Sequence, residues 1–206
     1  MRLLLISTAG AAGVVALATE SGVLREQALP GRGASEALLP AMRSLFASAG
    51  WAPAEVNAVA VVNGPGSFTG VRVGLAAAKG FCDAANTPLI MLSRLALLAG
   101  HAERSVAVLD AGRGEFFCGV YEGGQMQSEA LLPEGATRQL IASSPGVACE
   151  EKVAFRFSLG CVSEPGAEVM RCAALTRIAA GDWSDVALSD AKYLRRTDAE
   201  LKVANA

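Results

Sequence analysis

Asn63 to Gly70 reads NGPGSFTG, a run of chain-reversing residues and hydroxyls set directly before an apolar segment. Three chemistries could use such a stretch. Glycines and hydroxyls ahead of a helix leave backbone N–H groups where an anion can sit. On that reading Gly64, Gly66 and Ser67, with Ser7 and Thr8 from an upstream strand end, form a nucleotide or anion contact. The two established phosphate patterns do not fit, however. No Lys-Ser or Lys-Thr follows Gly70, and Gly66 and Gly70 stand one residue too far apart for GxGxxG. A sharp turn whose hydroxyl caps the next helix explains the same residues, and both readings stay open. A nucleophile elbow needs glycines on both sides of its serine, whereas Ser67 has Pro65 and Thr69 at those positions. His101 is the single histidine and lies in a polar stretch with nothing to orient it, which reads as surface. The five cysteines, at 82, 118, 149, 161 and 172, contain no CxxC pair. They read as reduced, buried thiols of a cytoplasmic protein, with no metal site or cofactor expected.

The elements that would hold this loop follow from periodicity. Ser7, Thr8, Gly10 and Gly13 break the N-terminal apolar run after four residues. Strand, turn and strand is therefore expected there, with a secretory leader as the alternative. A third strand, VLREQAL, completes a meander. Leu38, Leu39, Met42, Leu45, Phe46 and Ala49 recur at helical spacing, with Ser35 as N-cap and Gly50 as stop. The Val/Ala run before Asn63 reads as a strand covered on both faces. The apolar segment after Gly70 predicts a helix to about Ala85, then a strand in TPLIMLS and a short helix in RLALLAGHA. From Glu103 the order begins again: a meander, a helix near EGATRQLIASS and a strand in VAFRFSLG. A last helix follows in AEVMRCAALTRIAAG, with Val169, Met170, Ala173 and Ile178 on one face. Two halves, 1–102 and 103–206, are expected to share an α/β architecture.

The chain is 52% hydrophobic but only 18% charged, with a net charge of −2. No Lys/Arg block could hold a nucleic-acid backbone directly. No stretch approaches the ~20 apolar residues of a membrane span. Between Val71 and Asp83 the only charges are Arg72, Lys79 and Asp83. A helix apolar around most of its circumference needs cover beyond its own sheet. Together with the first helix it predicts a surface for another chain, formed by Leu38, Leu39, Met42, Leu45 and Phe46 from one helix and Val71, Leu75, Ala78 and Lys79 from the other. Two such helices can supply the roughly 800 Å² per partner of a standard interface. Gly74, Ala77, Ala78 and Gly80 leave room for close approach. Full burial inside one domain is the alternative.

GPGSFTGVRVGLAAAKG closely resembles the signature of the TsaB (YeaZ) family. LLIST, SEALLP at 35–40, LDAGRGEFF at 109–117 and YLRR at 193–196 occur in the family's order. The resemblance implies an actin/Hsp70/sugar-kinase-like, ribonuclease H-like α/β fold. In it two subdomains each carry a mixed five-stranded sheet, the second degenerate. It further implies a non-catalytic subunit for tRNA threonylcarbamoyladenosine synthesis that binds and activates the transferase TsaD, a paralogue sharing a variant of the loop. It implies a ternary complex with the ATPase TsaE, a homodimer when alone, contact with tRNA only through the complex, and no membrane. TsaD's HxxxH metal motif is replaced here by GRGASEALLP, and the Asp-Thr that usually ends the first strand is Ser7-Thr8. Both departures speak against autonomous metal or ATPase chemistry. A metal-independent glycoprotease-like activity and a nucleotide-binding homodimeric regulator are the alternatives.

Overall fold

The computed structural model describes residues 1–194 except Arg32, Ser143 and Tyr193. Apart from Leu194, the YLRR segment therefore lies outside the described residues. The described residues form two compact units, Met1–Leu97 with Glu164–Ala191, and Leu98–Ser163 with Lys192 and Leu194. This differs from a single division at 102/103. The last helix and the residues after it pack on the first unit, because that unit's sheet needs cover on both faces.

In the first unit, β1 (Arg2–Ser7), β2 (Gly13–Thr19) and β3 (Gly22–Leu29) form an antiparallel meander. β4 (Ala58–Val62) and β5 (Leu89–Leu92) extend it in parallel, giving the order β3-β2-β1-β4-β5. Helices α1 (Ala34–Ala49) and α2 (Phe68–Ala85) pack side by side, α1 over β2 and β3, α2 over β4, β1 and β5. Every residue of β4 is buried, as is β1 from Leu3 to Ser7. Alternating strand side chains point to opposite faces, so such continuous burial requires cover on both. The helix of residues Ala167–Ala179 touches all five strands and provides the second cover. Of its expected inner face, Met170 is fully buried and Ala173 and Ile178 pack on the core, whereas Val169 is 44% exposed.

α1 does not begin on a Ser35 cap. Gly33 holds the N-cap position at φ 87° with no side-chain bond, leaving Ser35 inside the first turn. Gly50 does end the helix, at φ 65°, its N–H donating to the Ala47 carbonyl. Ser67 caps α2, its Oγ accepting the Gly70 N–H at 3.2 Å.

The boundary between units falls within α3 (Arg94–Ala99). The second unit repeats the meander as β6 (Arg104–Gly112), β7 (Glu115–Glu122) and β8 (Gln125–Pro133). α4 (Glu134–Ile141), β9 (Gly146–Ala148), α5 (Glu151–Phe157) and β10 (Gly160–Cys161) follow, in the sheet order β10-β9-β6-β7-β8. The helix Ala167–Ala179, named α6, thus completes the chain order. Both sheets are mixed and five-stranded, as the fold class requires, and the second is reduced: β9 has three residues and β10 two. The strand expected in VAFRFSLG is helix α5 instead. Val153, Phe155 and Phe157 mimic strand alternation, but the buried set is Val153, Ala154 and Phe157, while Phe155 is 91% exposed. Helical spacing satisfies that set. Among the described residues no helix is long and apolar enough to cross a membrane.

Two glycines of α2 have opposite reasons to be glycine. A Cβ at Gly70 would lie 2.0 Å from the Thr8 carbonyl oxygen, whereas one at Gly80 would meet nothing within 4 Å. Gly70→Ala should therefore destabilise the chain by about 1–3 kcal/mol through overpacking. Gly80→Ala should stabilise it by about 0.5–1 kcal/mol through helix propensity. Urea unfolding of the two variants beside the parent measures both, and the opposite signs are the point of the comparison.

Candidate functional site

The β4–α2 loop is built against the turn that leaves β1. The Ser67 N–H donates to the Ala9 carbonyl at 2.9 Å, and Thr8 Oγ1 donates to the Gly70 carbonyl at 2.6 Å. A Cβ on Gly66 would stand 2.2 Å from the Ala9 oxygen, and one on Gly74 2.3 Å from Thr8 Oγ1. Gly64 adopts φ 110° before a cis peptide to Pro65, and its carbonyl accepts the Arg94 N–H at 2.8 Å. Thr8, Gly66 and Ser67 thus meet at one junction, with Ser7 at the end of β1 and Gly64 in the same loop. Ser7 and Thr8 are about 95% buried. The hydroxyls of Thr8 and Ser67 and the amide of Ser67 are engaged in holding two segments of the chain together. What approaches this loop most closely is a pair of carbonyl oxygens, whose negative ends oppose an anion.

Sequence reasoning missed the charged pair beside the loop. Arg94, 5% exposed, donates from Nε and Nη2 to Glu164 Oε1 and Oε2 at 2.7 and 2.6 Å. Gly10 lies so close to Glu164 that a Cβ there would be 2.7 Å from Oε1. The two partners are seventy residues apart in the chain. Nothing local marks them, although an arginine directly after a buried strand was a signal available in the sequence.

The candidate partner surface needs correction. Leu38, Met42, Leu45, Phe46, Val71, Leu75 and Ala78 are all 9% exposed or less, filling the core between the helices and their own sheet. Only Met42 and Phe46 of these reach the surface, at the groove between the helices. Lys79 is half-buried, its Nζ donating to the Ser189 carbonyl at 3.0 Å and the Ala187 carbonyl at 3.4 Å, so it ties down the segment after α6. Of the nine candidates only Leu39, at 56%, faces solvent freely. The outward face is made of other residues. Phe68 is 51% exposed under the Arg72 guanidinium, 3.8 Å from its ring centroid. Arg72, Ala76, Gly80 and Ala84 are exposed along α2, and Leu39, Arg43 and Ala47 along α1. Between the helices a groove of about 310 Å³ is lined by Leu39, Met42, Arg43, Phe46, Pro53 and Phe81. Its floor is the Phe46–Phe81 stack, with centroids 5.7 Å apart.

No trio of His, Cys, Asp or Glu among the described residues could hold a metal ion. His101 is exposed beside Gly124 in the second unit. Burial pushes the Cys82 thiol up to about 12, with Asp83 adding to the rise, and burial also raises Cys118.

Two sheets of matching strand order, each a meander extended by parallel strands, define a duplicated α/β protein of the actin-like sugar-kinase class. A structure of the ethanolamine utilization protein EutJ from Carboxydothermus hydrogenoformans shares this fold at TM-score 0.50 and 13% identity. YeaZ from Pseudomonas aeruginosa superimposes at TM-score 0.78 with 30% identity, over 94% of this chain and 99% of that one. The family model "TsaD: tRNA N6-adenosine threonylcarbamoyltransferase" matches residues 17–153. The tRNA threonylcarbamoyladenosine biosynthesis protein TsaB of Escherichia coli (strain K12) is 35% identical over 128 residues, 59% of this chain and 55% of that protein. TsaB of Bacillus subtilis (strain 168) is 32% identical over 100 residues, 47% of this chain and 44% of that protein. The chain belongs to the TsaB/YeaZ family, and its matches span about half the length of the curated relatives.

Thiol chemistry provides two checks on this geometry. With a disulfide reagent at neutral pH, exposed Cys161 and Cys172 should label readily, and Cys82 and Cys118 only after unfolding. The second check is alkaline. The raised Cys82 pKa keeps its thiol neutral in the fold while an unfolded thiol ionises from its ordinary value of 9.0. Its contribution to stability is complete below pH 9 and is lost as pH rises towards about 12. Cys82→Ala should flatten the fall of unfolding free energy across that window.

Proposed function

We propose that this chain is a non-catalytic subunit in tRNA threonylcarbamoyladenosine biosynthesis, binding the TsaD transferase through the outer faces of α1 and α2. The kinship with TsaB relatives supports the pathway, and the outer surface of α2 supports the mode of pairing. The single observation that carries it is Gly80. A glycine in the interior of an 18-residue helix costs about 1 kcal/mol relative to alanine. No atom of this chain lies within 4 Å of the position a Cβ would take there. With Ala76 and Ala84 above and below it, Gly80 opens a shallow lane along which a second helix backbone can approach. Leu39, Phe68 and Phe81 provide the apolar contacts beside that lane, and Arg43 and Arg72 the polar rim, the usual anatomy of an interface.

The same face would serve a homodimer when the chain is alone and the TsaD pair when TsaD is present. TsaE would join that pair, and tRNA would be met through the complex. The chain contributes surface and stability, and the transfer chemistry stays on TsaD. Neither the glycoprotease-like nor the nucleotide-regulator alternative gains an observation here.

Substitutions at buried positions such as Leu75 or Phe46 would test folding, not pairing. Leu39→Asp and Ala76→Arg change exposed side chains, so each should unfold within about 0.5 kcal/mol of the parent. Each should weaken co-elution with TsaD, by roughly 30-fold or more in Kd if it strikes a hot spot. Threonylcarbamoyl transfer to tRNA by purified TsaD should fall with it. Normal co-elution of both variants would remove this face from the proposal.

A further inference from the structure

β1 pairs parallel with β4, and β4 with β5, so the carboxyl ends of these three strands open at the same edge of the first sheet. In open α/β sheets the crevice beyond that edge is where ligands bind. The residues that leave the strands there are Thr8–Gly10, Asn63–Ser67 and Ser93–Arg94, and Arg94 is the one cation among them. Its side chain is 6% exposed. Its fork is matched by a planar two-oxygen anion, the Glu164 carboxylate, at 2.7 and 2.6 Å. A guanidinium fork accepts carboxylate and phosphate with the same geometry. Glu164 is the residue with which the chain returns to the first unit, followed by buried Pro165. Gly10 has no side chain, and one carbon added there would collide with Oε1. The carboxylate is therefore fitted into this edge from both sides.

We propose that Glu164 is a built-in plug: its carboxylate occupies the position at which a phosphate group would meet Arg94, and so closes this crevice to phosphate-bearing ligands. The surrounding backbone agrees with that assignment. The Ala9 and Thr8 carbonyls point at Gly66 and Gly70, and the Gly64 carbonyl accepts from the Arg94 amide. Among the described residues that leave β1, β4 and β5 here, Arg94 is the cation, and Glu164 is its carboxylate partner. Removing that counterion should convert a closed structural pair into an anion site. This inference is independent of the pairing proposed for α1 and α2, since neither Arg94 nor Glu164 lies on that face.

The test uses inorganic pyrophosphate on the full chain, at ionic strength held constant with chloride, read by the thermal unfolding midpoint and by titration calorimetry. The parent protein should show no saturable binding. Glu164→Ala should bind pyrophosphate at least about tenfold more tightly than the parent, because it removes the carboxylate that repels an anion beside Arg94. The double variant Arg94→Met with Glu164→Ala should lose the gain. Should Glu164→Ala fail to fold, Glu164→Gln removes the charge while keeping one acceptor, and carries the same expectation. The proposal is overturned by saturable binding in the parent that Arg94→Met abolishes. It is equally overturned by no gain in either Glu164 variant, or by a gain that survives the loss of Arg94.

Discussion

The first unit depends on one close approach: the backbone of the turn after β1 lies directly on the backbone of the loop and first turn of α2. Ala9 and Thr8 present carbonyl oxygens to Gly66 and Gly70 at distances no Cβ could tolerate. The contact is sealed by two hydrogen bonds, from Ser67 N–H to Ala9 and from Thr8 Oγ1 to Gly70. Gly74, one turn further, makes room for the same threonine hydroxyl. A loop held in this way has little freedom left to close around a ligand. It also fixes where α2 begins, and hence which of its residues turn inward against β4 and β1. Position and rigidity are what this glycine pattern secures.

From that anchor the distribution of side chains follows. α2 turns Val71, Leu75, Ala78 and Cys82 to the sheet, and α1 turns Leu38, Ala41, Met42, Leu45 and Phe46. Burial of a large aliphatic side chain is worth about 1.5–3 kcal/mol, so these positions are committed to the stability of the subunit itself. What remains outside is narrower than composition suggests: small residues along α2, one exposed leucine on α1 and an aromatic at each end of the lane. Small residues lose little side-chain entropy when covered, and they allow backbones to approach. Such a surface can be soluble when bare and still pair well, a combination that a stripe of exposed leucines would not give.

Much of this was legible in the sequence because it rests on local periodicity. The meander before α1, the buried Val/Ala strand, the capped turn at Ser67 and the stop at Gly50 all follow from neighbours within a few residues. The failures share a different cause. The sequence shows α2 apolar around most of its circumference, but periodicity does not say which apolar residues a chain will bury against itself. The residues assigned to a partner turn instead to their own sheet, whose other face is covered by α6 from about a hundred residues away. Arg94 and Glu164 are invisible for the same reason, since each is an ordinary charged residue until the chain returns. VAFRFSLG failed because three apolar residues at alternate positions fit a strand. Only the burial of Ala154 beside Val153, with Phe155 left in solvent, reveals the helix.

The second unit does not repeat the long helical face proposed for pairing. Its strands repeat the order of the first, so α4 and α5 take the places that α1 and α2 occupy there. α1 and α2 run 16 and 18 residues, whereas α4 and α5 run 8 and 7. At 1.5 Å per residue the second pair reaches only about 10–12 Å, against about 24–27 Å for the first. Two turns of helix can cover a reduced sheet, and Val153, Ala154 and Phe157 do so with Phe116 and Phe157 meeting edge to face. They cannot also present a lane long enough for a partner helix. The two units share the strand plan, while the length of two helices separates the copy proposed to pair from the one that lacks such a face.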